Sequence, residues 1–246
     1  MNSFCILVTL LLYPVGFDIS LSSITIGIVA IIYYHQQLVT LDRKKPYFDF
    51  SQLGPRRFTS YWHQLKTLLQ LEPKTVLEIG IGANLLAGML ERFGPKVTTV
   101  DNDPDLKPNH IADITNLPFS ENSFDIACTF EVLEHIPFDQ VLTALKELSR
   151  VASDYVVFSV PDAGDYFFLH FPFTPLPMPL INFKINLPKL FPQKHQYDGK
   201  HYWELNKQGY SLNELKKYLK QTDLQLVKHF RAREFPYHHF FVLKVR

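Results

Sequence analysis

Short apolar runs rich in β-branched and aromatic residues alternate with stretches of helical periodicity through most of this chain. Seven runs read as strands: 75–79, 96–100, 110–114, 123–128, 155–160, 224–229 and 240–245. Between and before them, 57–71, 84–93, 139–151 and 211–221 read as helices. The first carries Phe58, Trp62, Leu65 and Leu69 at helical spacing, and the last opens with Ser211 followed three residues later by Glu214, a capping box. Strands alternating with helices predict an α/β domain over 55–246 whose sheet is mainly parallel with right-handed crossovers.

Two stretches interrupt the alternation. Residues 162–209 form a long insertion whose core, from Tyr166 through Phe168, Phe171 and Pro192, is too proline-rich for a regular helix or strand. A loop of that length is expected to be a lid or binding segment, or a cap over a sheet edge; its aromatics suit an apolar partner. The N-terminal extension, 1–45, carries Asp18 as its one Asp, Glu, Lys or Arg before Asp42. Its apolar stretch from 17 to 38 approaches the ~20 residues that cross a bilayer. Arg43, Lys44 and Lys45 would then hold the following domain on the cytoplasmic side. A membrane span, a helix lying on the membrane or docked on the core, and a start codon placed too early all remain open readings.

The chemistry concentrates where the strands end. Strand 75–79 runs into Gly80-Ile81-Gly82, and strand 96–100 ends in Asp101. Glycines at a strand-to-helix turn let a ligand approach the backbone, and the helix start behind them favours negative charge. A carboxylate closing the next strand is placed to accept bonds from a ribose. A dinucleotide fingerprint needs a third glycine where Leu85 stands, which argues against a nicotinamide-dependent oxidoreductase.

Glu78-x-Gly80-x-Gly82, Asp101, Asp113-Ile114, Leu117-Pro118-Phe119, Ser123-Phe124-Asp125-Ile126 and Phe130-Glu131-Val132-Leu133-Glu134-His135-Ile136 occur in that order. Together they resemble the class I S-adenosylmethionine-dependent methyltransferases, type 11-like subgroup, over about residues 74 to 160. Asn84 stands where that family usually has its third glycine, and asparagine tolerates the left-handed backbone such a turn needs. The resemblance implies a three-layer Rossmann-like sandwich with a seven-stranded, mainly parallel sheet and an antiparallel last strand. It also implies S-adenosyl-L-methionine as cofactor. Glu78, Gly80 and Gly82 would line its methionine side, Asp101 and Asn102 the ribose, Asp113 and Ile114 the adenine, and Phe130 and Glu131 the sulfonium region.

Composition narrows the rest. A net charge of +1 gives no electrostatic case for nucleic acid, and the two cysteines, Cys5 and Cys128, exclude a disulfide framework. His238-His239 lack a third ligand at recognisable spacing, so no metal is expected. Methyl transfer needs positioning and, for some acceptors, a base, for which His135 and His201 are the candidates. The N/D-P-P-Y motif of methyltransferases that act on nucleic-acid or glutamine amino groups is absent, with Ser159-Val160-Pro161-Asp162 in its place, which favours a small-molecule or lipid-linked acceptor. A methyltransferase-like scaffold without catalysis is the competing class, opposed by the retention of Glu78, Asp101 and Asp113.

Overall fold

In the computed structural model, which describes residues 54–170, 182–186 and 192–246, the elements follow one another as a strand–helix alternation. They are α1 (Pro55–Leu69), β1 (Thr75–Ile79), α2 (Leu85–Glu91), β2 (Lys96–Asp101), β3 (His110–Ile111), β4 (Phe124–Phe130), α3 (Val141–Val151), β5 (Ala152–Pro161), β6 (Tyr166–His170), β7 (Asn182–Asn186), α4 (Leu212–Leu219), β8 (Leu224–Arg231) and β9 (His238–Val245). Seven strands form one sheet in the order β3-β2-β1-β4-β5-β9-β8. The pairs from β3 to β5 are parallel, and β9 lies antiparallel between β5 and β8. The expected seven-stranded sheet with a reversed last strand is present.

Side-chain alternation along the strands builds the layers. On β1, Val76 joins Leu68 of α1 and Leu86 and Leu90 of α2 on one face. Leu77 and Ile79 join Leu145 and Leu148 of α3 and Leu215 of α4 on the other. All of these are buried, each contributing about 1.5–3 kcal/mol of apolar burial. Glu78 falls on the face of Val76, a carboxyl at a position the pattern reserves for an apolar residue.

Three expectations need correction. The third strand stops at Ile111, because Asp113 accepts from the Thr115 N–H and hydroxyl and turns the chain. On α1, Phe58 and Trp62 are 58% and 51% exposed while Ser60 and Gln64 are buried, so the inward face is offset from the apolar spacing. The insertion does contain regular structure: β6 and β7 form an antiparallel ribbon with Tyr166 opposite Asn186. Neither strand contains a proline, β6 spanning 166–170 and β7 182–186, as the missing N–H of proline demands.

The insertion's base is held by Asp162. It accepts from His239 Nδ1 at 2.7 Å, the Gly164 N–H at 2.7 Å and Asn206 Nδ2 at 2.8 Å. The N-terminal extension and the stretch at 17–38 lie outside the described residues. No helix among the described residues is long and apolar enough to cross a membrane.

Candidate functional site

At the carboxyl ends of β1, β2 and β4 lies a cavity of about 480 Å³. Parallel strands end there together, which is where open α/β sheets bind ligands. Following the sheet order, Asp101 comes from β2, Glu78 and the glycine turn from β1, and Phe130 to Ile136 from the end of β4. α1 adds Arg57, Ser60, Tyr61 and Gln64, and the chain leaving the insertion adds Lys200 and His201. Tyr237 and His238 enter from the start of β9.

The glycine turn is held by its neighbours. Gly80 has φ +80° and Gly82 φ +51°. A Cβ on Gly80 would collide with the Val132 side chain. Asn84 sits at φ 54°, ψ 36°, and its N–H donates to the Ile81 carbonyl at 2.8 Å, closing the turn ahead of α2. The asparagine thus supplies the left-handed residue in place of glycine. Asp101 Oδ2 accepts the Ile81 N–H at 2.9 Å and Oδ1 the Asp103 N–H at 3.0 Å, so one carboxylate fixes both loops.

Glu78 is buried beneath this turn, and its Oε2 has no hydrogen-bond partner. Burial, opposed by the Ala87 N–H and reinforced by Asp101, pushes its pKa up to about 8. An orphaned carboxyl oxygen lining a cavity is the feature a cationic ligand group would satisfy.

Past β4 the wall becomes polar. Glu131 holds φ 56°, a strained conformation for a residue with a Cβ. Ser159 pins it twice: the Ser159 carbonyl accepts the Glu131 N–H at 3.0 Å, and the Ser159 hydroxyl donates to Oε1 at 2.7 Å. Burial, opposed by Ser159 and the Arg57 and His201 charges, brings Glu131 to about 7. On its other side His238 Nε2 lies 3.5 Å away, and His238 Nδ1 bonds Ser60 Oγ at 2.7 Å, which also accepts from Gln64. Burial, with the Arg57 charge adding to it, pulls His238 down to about 3, which favours the neutral ring in its bond with Ser60.

The two candidate histidines meet. His135 and His201 have ring centroids 5.1 Å apart, although 66 positions separate them in the chain. Three bonds join their segments: His135 Nδ1 to the Lys200 carbonyl at 3.0 Å, the Tyr202 N–H to the Glu134 carbonyl at 2.8 Å, and Trp203 Nε1 to the Leu133 carbonyl at 3.1 Å. Loss of water on the cavity side lowers the His135 pKa, against the Lys200 carbonyl bond that raises it. Every residue assigned to the site from sequence lines this one cavity: Glu78, Gly80, Gly82, Asp101, Asn102, Asp113, Ile114, Phe130, Glu131, His135 and His201.

Ser60, Gln64, Glu134, Tyr237 and His238 line it too, and sequence pattern alone marked none of them. The signals were polar residues on the buried side of α1 and a paired histidine at a strand start. His238 and His239 alternate across β9 and serve separate networks, His239 bonding Asp162 and His229.

A sheet of this order, with a reversed strand beside its last and an acid-flanked glycine turn at β1, defines the class I methyltransferase fold. The chain belongs to the S-adenosylmethionine-dependent methyltransferases of that class, whose methyltransferase-domain model matches residues 55–229. No curated protein matches it in sequence. Among solved structures, the PH0226 protein of Pyrococcus horikoshii is similar at TM-score 0.54 and 15% identity, over 83% of this chain and 100% of that one. The 1,6-didemethyltoxoflavin-N1-methyltransferase of Burkholderia thailandensis, with bound 1,6-didemethyltoxoflavin and S-adenosylhomocysteine, follows at 0.51 and 16%, over 95% and 92%. The magnesium protoporphyrin IX methyltransferase of Synechocystis with S-adenosylhomocysteine stands at 0.52 and 14%, over 88% and 95%. At these identities the likeness is one of fold.

Proposed function

We propose that this enzyme transfers the methyl group of S-adenosylmethionine to a small acceptor seated against the wall formed by Phe130–Ile136, Lys200–His201 and Tyr237–His238. The observation that carries this is one cavity running from the glycine turn to that wall. The residues fit the cofactor. The orphaned Glu78 Oε2 would accept from the methionine ammonium, and the side-chain-free backbone of the Gly80–Gly82 turn would face the methionine. Asp101 and Asn102 would bind the ribose, Asp113 and Ile114 the adenine, and Phe130 and Glu131 would border the sulfonium.

In the transfer, an acceptor lone pair attacks the methyl carbon while the C–S bond electrons leave with sulfur, giving S-adenosylhomocysteine. The protein's part is alignment and exclusion of water. His135 and His201 are the residues on the acceptor side closest to a proton-handling role. The structurally similar enzymes named for a toxoflavin precursor and a magnesium porphyrin act on small molecules, which supports an acceptor of that size here. The aromatic content of the insertion supports an apolar or lipid-linked body attached to a polar reacting atom.

Calorimetry with S-adenosylhomocysteine and with NAD tests the donor side. Saturable binding of the former alone is expected, and no binding at millimolar concentration would overturn the reading. For the apolar stretch at 17–38 we propose membrane attachment with the catalytic domain in the cytoplasm. Release of the full chain from membranes by carbonate would count against a span.

A further inference from the structure

Glu134, His135 and His201 face one another at the acceptor end of the cavity. One donor atom from each lies within 4.8 Å of those of the other two. We propose that these three side chains bind a first-row divalent cation of zinc type, held by two imidazole nitrogens and one carboxylate oxygen.

Glu134 is the first reason. It is 1% exposed, and its Oε2 takes no hydrogen bond from any group among the described residues. Leaving a carboxylate oxygen unmatched in that position is costly, and a cation is the partner that matches it.

The histidines are the second reason. A carbonyl only accepts, so the bond from His135 to the Lys200 carbonyl places the ring proton on Nδ1 and leaves the Nε2 lone pair for a metal. His201 turns its own Nδ1 toward Glu204 Oε1 at 3.5 Å and Asp198 Oδ2 at 3.8 Å. Glu204 is in turn held by the Tyr237 hydroxyl at 2.9 Å. An imidazole whose second nitrogen is bonded to a carbonyl or carboxylate is the arrangement that orients metal-binding histidines.

The backbone fixes the meeting point, since three bonds tie residues 200–203 to 133–135 before any ion arrives. Zinc donors sit about 3.4 Å apart given bonds of about 2.0–2.2 Å, so loading the ion would draw the three donor atoms closer together than they lie here. Two imidazoles favour zinc, cobalt or iron over magnesium or calcium, which prefer oxygen alone. With three protein ligands and an exposed side, further coordination positions stay open. The purpose of the site rests on the proposed function: an acceptor oxygen would take one of those positions, beside the cofactor methyl.

The test uses the full, tag-free chain stripped with a chelator and titrated with Co²⁺, read by its visible absorption. One equivalent of Co²⁺ with tetrahedral or five-coordinate bands is expected. Glu134→Gln and His201→Gln should each weaken it about 100-fold or more. S-adenosylhomocysteine binding, measured on the same samples, reports that each variant is folded and tests the donor reading separately. A wild-type chain that binds S-adenosylhomocysteine but neither Co²⁺ nor Zn²⁺ would overturn the proposal, as would equal Co²⁺ affinity in the E134Q/H201Q double variant. Should the variants fail to fold, X-ray absorption of the zinc-loaded wild type decides: two imidazole ligands support the site, and none overturns it.

Discussion

Trp203 donates its indole N–H to the Leu133 carbonyl at 3.1 Å, with both residues fully buried. That bond is one of three that fasten residues 200–203 to residues 133–135, and together they set the approach of His201 to His135. Trp203→Phe keeps most of the packing but leaves the Leu133 carbonyl only the longer bond from the Ile136 N–H at 3.3 Å. We expect a loss of about 0.5–1.5 kcal/mol in urea unfolding, with S-adenosylhomocysteine affinity little changed.

Glu78 gives a pH dependence with a definite sign. Its pKa is about 8 when folded against 4.5 ordinarily, so the folded state keeps a proton that the unfolded chain releases. Without ligand, stability should fall as pH rises from about 4.5 to about 8, and level off above that. Glu78→Gln should flatten that decline in thermal melts across the window. A cofactor ammonium beside the carboxyl would lower its pKa. Binding near pH 7 should therefore release protons, visible as a buffer-dependent heat in calorimetry and absent in the Gln variant.

Asn84 separates backbone need from side-chain need. At φ 54° a β-branched residue is strained, so Asn84→Ile should cost about 1–2 kcal/mol and weaken cofactor binding. Asn84→Gly should retain wild-type affinity. An equal loss in both variants would show that the asparagine side chain itself touches the ligand.

Asp101 serves the fold and the ligand together. Asp101→Ala removes the acceptor of the Ile81 and Asp103 N–H groups as well as the proposed ribose partner. A loss of about 1.5–3 kcal/mol in cofactor binding is expected, read as the shift in calorimetric Kd, accompanied by a lower melting temperature. Unchanged affinity would remove Asp101 from the ribose site.

Much of this arrangement was readable from residue order, because strands buried on both faces write themselves as apolar runs and glycine turns mark where they end. Asn84 was legible for the same reason: few side chains occupy its backbone region. The misreadings came where a local polar bond outweighed the pattern. Asp113 bends the chain after Ile111 and cuts the third strand to two residues. Ser60 and Gln64 turn inward on α1 to meet His238, leaving Phe58 and Trp62 outside. The approach of His201 to Glu134 and His135 depends on contacts spanning some 66 positions, which no local pattern encodes.

The reversed strand has a consequence for how the pocket closes. Because β9 runs against its neighbours, its first residues rather than its last reach the edge where the parallel strands end. Tyr237 and His238 are thereby delivered to the cavity by a strand seated between β5 and β8. One wall of the pocket therefore depends on the non-local pairing of β9 with β5, and local opening of β9 would empty that wall while leaving the glycine turn in place.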